Sequence, residues 1–148
     1  PICREHAAFC SRMGMPELRC GFPVTDIREE DTIRFGSHTF TVIETGGHTP
    51  GGVCFLCIDE KVLFSGDTLF CGTIGRPDLP GGDDDLLIAN RRGKLMGLRG
   101  DIDVLPGHGP GSTIADEIRS NPFLEPFNED TDTDEAAANA IIPSLRGE

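Results

Sequence analysis

The distribution of apolar and polar positions along the chain predicts a mixed α/β fold. Residues 39–45 are rich in β-branched side chains and stop at a Gly-Gly pair, which is typical of a strand that ends in a tight loop. Continuous apolar runs at 53–58 and 61–65 favour a hairpin of two buried strands in the interior of a sheet. A short strand follows at 102–105, whereas residues 71–85 are broken by glycines and prolines and predict a long loop of the kind that lines sites.

Helical periodicity and capping residues predict three helices. The first covers residues 4–13, where apolar positions share one side and a glycine follows the last of them. The second covers residues 84–98 and begins among acidic side chains, which suit an N-cap and a first helical turn. A third begins at a cap formed by Ser112 or Thr113 and runs to about Ser120, before an Asn-Pro pair.

Charge divides the chain into two parts. It has 148 residues with 25 acids and 13 bases, giving a formal charge of −12. Residues 125–148 hold seven of those acids and lack a persistent apolar period, so they predict a flexible acidic tail after one domain at 1–124. Scattered, outnumbered bases argue against nucleic-acid binding, and the longest apolar run, at 53–58, is far too short for a membrane span.

The cysteines indicate a reducing compartment. Nothing in the first twenty residues resembles a secretory leader, and a domain of this size has a core of its own, so reduced thiols in a cytoplasmic protein are expected. Cys54 and Cys57 form a Cys-x-x-Cys pair, but residues three apart in a strand point to opposite faces. We therefore interpret them as packed thiols rather than as a redox or zinc motif.

Three titratable residues occupy the same kind of position, directly after a predicted strand and a glycine. They are His48, Asp67 and His108. Ligands gather where strands of layered α/β folds end, and two imidazoles with one carboxylate form a ligand set for zinc, iron or manganese. The other histidines, His6 and His38, are interpreted as structural. The chain has neither the Gly-x-Ser-x-Gly elbow of serine hydrolases nor a phosphate-binding Gly-rich motif.

Three motifs around these residues resemble the metallo-β-lactamase superfamily: Thr45–Gly51, Leu63–Phe70 and Leu105–Pro110. Two further segments, Gly75–Asp83 and Asn121–Leu124, narrow the resemblance to its glyoxalase II-like, hydroxyacylglutathione hydrolase-type branch. The resemblance covers nearly all of residues 1–124. It implies a four-layer αββα sandwich with metals held at one edge between two sheets.

The resemblance also implies roles for the three residues. His48 would bind a first metal, Asp67 would bridge two metals and so be catalytic, and His108 would bind the second. Two zinc ions are expected in a complete domain, with iron or manganese as alternatives. The implied activity is hydrolysis of a small thioester such as S-lactoylglutathione by a metal-bound hydroxide, because metal charge lowers the pKa of bound water toward about 7.

One family feature is absent from the sequence, namely the first metal motif, His-x-His-x-Asp-His. The resemblance therefore implies that the chain holds only the second half of the fold, with two protein ligands for each metal, and we expect it to be inactive alone. A chain or segment that supplies the missing half, or self-association, is the expected partner. Arg76 is predicted to anchor an acidic substrate, with an ion pair to Asp78 or Asp83 as the alternative.

Two other functions remain open at this point. A persulfide dioxygenase of the same superfamily would use one iron held by His48, Asp67 and an upstream histidine. A non-catalytic half-domain or interaction module would use neither metal nor substrate. The chain has no tyrosine, although many glutathione-dependent relatives place one near the substrate, so the sequence leaves glutathione specificity open.

Overall fold

The computed structural model describes residues 10–16, 23, 25–76, 78 and 82–124. Six strands form one sheet in the order β1-β2-β3-β4-β7-β8, in which only the β4 and β7 pair is parallel, and β5 and β6 form a separate small hairpin. The strands are β1 Thr32–Phe35, β2 His38–Glu44, β3 Val53–Cys57, β4 Val62–Gly66, β5 Leu69–Phe70, β6 Thr73–Ile74, β7 Asp103–Pro106 and β8 Ser112–Thr113.

Helices begin where the sequence provides caps. Helix α1 (Asp84–Asn90) starts at Asp83, whose carboxylate accepts from the Leu86 N–H at 2.9 Å, and continues as a π-helical segment, Arg91–Leu95. Helix α2 (Ile114–Ser120) starts at Thr113, whose hydroxyl accepts from the Asp116 N–H. A 3₁₀ turn, Pro122–Leu124, follows α2, and residues 10–13 are also helical. None of the helices described here is long and apolar enough to cross a membrane.

The structure corrects two predictions and adds a strand. Strand β1 lies at Thr32–Phe35, where the sequence analysis assigned no element, and the predicted loop at 71–85 contains β6 of the small hairpin. The predicted helix at 84–98 changes to π-helical geometry after Asn90 and ends at Leu95. Residues 4–9 of the predicted first helix and the predicted tail at 125–148 lie outside the described residues.

The core lies on one face of the sheet. Its register places Ile43 opposite Cys54, and Leu56 opposite Leu63, and these side chains are fully buried against the helices. The cluster is completed by residues from the helical segments, β5, β7 and connecting segments: Leu69, Leu95, Met96, Ile102, Val104, Ile114 and Leu124. Among the described residues, helical segments thus pack on one face of the six-stranded sheet, and the β5–β6 hairpin is a second, two-stranded sheet.

The opposite face of the sheet carries apolar side chains that are partly exposed, although Val42 and Cys57 on the same face are buried. Phe64 pairs with Leu105 of β7, and their side chains are 43% and 41% exposed. The Phe64 ring packs on Phe40 at a centroid distance of 6.0 Å, and Ile33 and Phe35 extend the same surface onto β1. Contiguous apolar surface of this kind marks an interaction site in a soluble protein.

We predict that this apolar face drives self-association of the isolated chain. Sedimentation velocity should show an average mass that rises with concentration. The double variant Phe35→Ser/Phe64→Ser should shift the population toward monomer, because it removes two exposed aromatic rings from the face. Phe123→Ser is the matched control, since Phe123 is 50% exposed on the 3₁₀ turn and not in the sheet. A wild-type chain that stays monomeric and binds no hydrophobic dye would contradict the prediction.

Candidate metal site

The three predicted ligand residues meet at one end of the sheet. His48 follows β2, Asp67 follows β4 and His108 follows β7, each after a glycine as the sequence indicated. Strands β4 and β7 are neighbours and parallel, so the loops that follow them leave the sheet at the same end, beyond the carboxyl ends of the two strands. The N–H of Gly107 donates to the carbonyl of Gly66 at 2.8 Å, which ties the last two loops together.

Asp67 lies between the two histidines. Its Oδ2 is 3.7 Å from His48 Nε2, and its Oδ1 is 2.9 Å from His108 Nδ1. The His48 side chain is 19% exposed, whereas that of His108 is 77% exposed. The carboxylate therefore contacts one half-buried imidazole and one imidazole that is open to solvent.

Hydrogen bonds fix the tautomer of His48. Its Nδ1 lies 2.7 Å from the carbonyl oxygen of Arg76, and a carbonyl can only accept, so Nδ1 carries the proton and donates. In the neutral ring the lone pair is then on Nε2, which faces Asp67 Oδ2. In this neutral form two acceptor atoms face each other at 3.7 Å, an arrangement that suits a cation. A backbone carbonyl that orients the non-ligating nitrogen is the usual support of a metal-binding histidine.

The same argument applies to His108. An ionised carboxylate accepts, so His108 Nδ1 donates to Asp67 Oδ1 and leaves Nε2 as the acceptor. Phe70 of the β5–β6 hairpin lies edge-on to this imidazole at a centroid distance of 6.1 Å. Phe70 lies only three residues after Asp67 and ends the Leu63–Phe70 motif, but no separate role was predicted for it.

The donor atoms suit zinc, iron or manganese, which take imidazole nitrogen and carboxylate oxygen. Their number is small, because a catalytic zinc usually has three protein ligands. No group of three or more His, Cys, Asp or Glu side chains within the described ranges is arranged to hold one metal ion. His48 and Asp67 therefore fit a metal as part of a ligand set.

Glycines allow the loops to approach this closely. A Cβ at residue 75 would overlap the carbonyl oxygen of Asp67 and would lie 3.2 Å from His48 Nδ1. A Cβ at residue 107 would lie 2.8 Å from Asp67 Oδ1. The backbone at these two positions forms the floor of the site, and only glycine fits there without a shift.

Two buried hydroxyl groups lie near the starts of the loops that carry His48 and Asp67. Thr45 and Thr68, which are fully or almost fully buried, share a hydrogen bond of 2.9 Å between their Oγ1 atoms. The Thr45 hydroxyl is also 3.5 Å from the thiol of Cys54. Burial raises the pKa of the Cys54 thiol. Cys54 and Cys57 are both buried, so each is a packed thiol as the sequence analysis proposed.

Arg76 is engaged by a neighbour. Its guanidinium forms two hydrogen bonds to Asp78, at 2.9 and 2.8 Å, and both side chains are largely exposed. Hydrogen bonding from Arg76 lowers the pKa of the Asp78 carboxyl. Asp83, the other candidate partner, instead caps α1. The ion-pair alternative for Arg76 is thus present with Asp78, while the backbone carbonyl of Arg76 holds His48.

The remaining histidines lie outside the site. His38 Nδ1 lies 3.3 Å from Glu60 Oε1, a contact between the start of β2 and the turn that connects β3 to β4. This contact supports the structural interpretation of His38. His6 lies outside the described residues.

Several known proteins are similar to this chain in sequence and in fold. The chain is 41% identical over 114 residues to hydroxyacylglutathione hydrolase GloC of Haemophilus influenzae, covering 76% of this chain and 54% of that protein. The crystal structure of the BLEG-1 B3 metallo-beta-lactamase matches with a TM-score of 0.70 and 37% identity, over 82% of this chain and 62% of the other. TTHA1623 in a di-iron-bound form matches with a TM-score of 0.65 and 39% identity, over 78% and 56%.

These matches confirm the predicted α/β class and the metallo-beta-lactamase fold. The chain spans about half the length of the curated relatives it matches, with 54% of GloC covered. The sequence profile of the metallo-beta-lactamase superfamily matches residues 5–108, a range that contains all three residues of the site. The chain therefore belongs to the metallo-beta-lactamase superfamily.

Proposed function

We propose that this chain supplies part of the active site of a metal-dependent thioester hydrolase of the hydroxyacylglutathione type. The observation that carries the proposal is the pair of facing acceptors, His48 Nε2 and Asp67 Oδ2, with the other His48 nitrogen held by the Arg76 carbonyl. The similarity to GloC, at 41% identity, supports the substrate class. The exposed Cys71 thiol and the buried thiols of Cys54 and Cys57 suit a reducing, cytoplasmic setting.

In this proposal the three residues divide their work between two metals. His48 and Asp67 would hold the first through their facing acceptor atoms. Asp67 and His108 would hold the second, which requires the hydrogen bond between Asp67 Oδ1 and His108 Nδ1 to open. A bound divalent metal would supply Lewis acidity, which makes a nucleophile available from water at neutral pH and polarises the thioester carbonyl. The Arg76 carbonyl keeps the His48 ring in the ligating tautomer, and the edge of Phe70 packs against His108.

Turnover of S-lactoylglutathione tests the proposed function. Metal-loaded chain 1–148 alone should show no hydrolysis above an Asp67→Ala control, because two protein ligands per metal are too few to hold a catalytic centre. Grafting a segment that carries the family's His-x-His-x-Asp-His motif ahead of Pro1 should restore metal binding and hydrolysis. Hydrolysis by the unmodified chain would contradict the partial-site account, and a folded, metal-loaded graft without hydrolysis would contradict the substrate class.

The grafted, metal-loaded domain also distinguishes the hydrolase from the two alternative functions. A persulfide dioxygenase would retain one iron and consume oxygen with a glutathione persulfide, and it would not cleave the thioester. A non-catalytic half-domain would do neither, even with the grafted segment and a full metal content. We expect hydrolysis without oxygen uptake.

Arg76 is proposed as the anchor for the carboxylate of the substrate, in competition with Asp78. In the grafted domain, Arg76→Ala should raise KM with kcat little changed, because the guanidinium binds a remote part of the substrate. Asp78→Asn should lower KM by about twofold to fivefold, since an exposed ion pair is weak and its loss frees the guanidinium. Arg99→Ala is the matched control, because Arg99 forms the same two-bond pair with Asp101 elsewhere. An unchanged KM in both Arg76 and Asp78 variants would show that Arg76 does not bind substrate.

A further inference from the structure

A buried carboxylate, that of Glu117, lies outside the metal site and binds the β5–β6 hairpin, which lines the site. Glu117, on α2, is 2% exposed and lies 45 residues after the hairpin turn in the chain. Its two carboxylate oxygens accept from the backbone N–H of Gly72 at 3.3 and 3.1 Å. Gly72 is in the left-handed region, with a φ of 69°, at the turn between β5 and β6. The carboxylate thus contacts the turn itself.

Asn121 completes this contact. Its side-chain amide donates to Glu117 Oε2 at 2.6 Å and to the carbonyl oxygen of Thr73 at 3.1 Å. The Asn121 side-chain oxygen accepts from the Phe123 N–H at 3.1 Å, which orients the amide. Asn121 is fully buried. The Asn-Pro-Phe-Leu segment that the sequence analysis singled out is therefore the place where α2 connects to the hairpin.

The hairpin needs such support because it is very short. Strands β5 and β6 have two residues each, and an isolated hairpin is marginally stable at best. A buried carboxylate is costly unless hydrogen bonds satisfy it, and here it receives backbone and amide donors. Two buried polar side chains directed at one turn indicate a position that the fold holds firmly.

The hairpin in turn carries groups that orient both histidines. Phe70, at the end of β5, packs on His108, and the Arg76 carbonyl, two residues after β6, accepts from His48. We propose that Glu117 and Asn121 are positioning residues for the metal site, acting through the β5–β6 hairpin on the tautomer of His48 and the orientation of His108. That Glu117 and Asn121 matter for catalysis rests on the proposed function, whereas the test of their positioning role needs only the metal-free chain.

The test uses the metal-free chain 1–148, labelled with ¹⁵N. Two observables are followed: hydrogen exchange of the Gly72 amide, and the protonated ring nitrogen of His48 and His108 in long-range ¹H–¹⁵N spectra at about pH 8. The variants are Glu117→Ala, Glu117→Gln, which keeps the side-chain volume if the alanine variant fails to fold, and Asn121→Ala. Thr113→Ala is the matched control, because it removes the N-cap of the same helix without touching the hairpin.

In the wild-type chain both imidazoles should be protonated at Nδ1. The Glu117 and Asn121 variants should exchange the Gly72 amide at least tenfold faster, and the His48 signal should shift toward a mixture of tautomers with a changed His108 spectrum. Thr113→Ala should leave both observables unchanged. The proposal is overturned if the Gly72 amide exchanges faster while both histidine spectra stay as in the wild type. It is equally overturned if Thr113→Ala has the same effect as the Glu117 variants, or if no variant changes either observable.

Discussion

Replacing Asp67 with alanine should remove metal from both proposed positions, whereas His48→Ala or His108→Ala should directly weaken only one. The reason is that the Asp67 carboxylate contacts both imidazoles, one through each oxygen. Changes in groups that only support a ligand typically cost ten- to a hundredfold in metal affinity, so loss of the shared ligand should cost at least about a hundredfold. Zinc titration calorimetry on the grafted domain, with metal analysis per chain, measures this.

Asp101→Ala provides the matched control for the Asp67 variant. Asp101, like Asp67, contacts two side chains, here those of Lys61 and Arg99. Their hydrogen bonds lower the pKa of the Asp101 carboxyl to about 2. It lies outside the site, so its loss should leave metal affinity unchanged. Two metals and near-normal turnover in the Asp67 variant would mean that the three residues do not form one site.

Replacing Gly75 with alanine should destabilise the chain by about 3 kcal/mol, near the upper end of the usual cost of overpacking. The new Cβ would overlap the backbone carbonyl of Asp67, and backbone cannot move aside as a flexible side chain can. To avoid this overlap, the backbone at residue 75 would have to move away from Asp67. That movement would pull the neighbouring Arg76 carbonyl away from His48. Chemical denaturation measures the free energy of unfolding, and the His48 ring signal reports the lost hydrogen bond.

Gly93→Ala is the control for this substitution. A Cβ at Gly93 would meet nothing within 4 Å, and the residue lies on the exposed side of the π-helical segment. Alanine is favoured over glycine in helices by up to about 1 kcal/mol, so this variant should be neutral or slightly more stable. Equal stability of the Gly75 and Gly93 variants would show that the loop is not packed on Asp67.

The elements that position the site were predictable because their signals are local. Strand β2 follows from its β-branched residues, and the β3–β4 hairpin follows from two apolar runs around an acidic turn. The Thr113 cap follows from a hydroxyl side chain just before a helical pattern. Each of these depends on residues that are neighbours in the chain.

Strand β1 was missed because its stability is not local. All four of its residues are exposed, and their pairing partners on β2 lie across a short turn. The alternation of Thr32, Ile33, Arg34 and Phe35 is a two-residue period that could have indicated a strand. The π-helical segment after Asn90, in which Arg91 and Leu95 are buried, had no comparable signal in the sequence.

For the site, the sequence indicated which residues meet but not how they are held. The glycines before His48, Asp67 and His108 revealed their positions at strand ends. The support for His48 comes from a backbone carbonyl 28 residues away, and the support for the hairpin comes from Glu117, 45 residues from Gly72. Contacts between distant backbone and side-chain atoms leave no periodic pattern, so the sequence could not reveal them.

Anomalous diffraction from crystals of the grafted domain grown with zinc tests the central claim, that His48, Asp67 and His108 belong to a metal site. We expect a zinc peak at roughly 2.0–2.2 Å from His48 Nε2 and from a carboxylate oxygen of Asp67. His48 Nδ1 should remain hydrogen-bonded to the Arg76 carbonyl. Zinc bound elsewhere, at Cys71 for example, with no density between His48 and Asp67, would contradict the account.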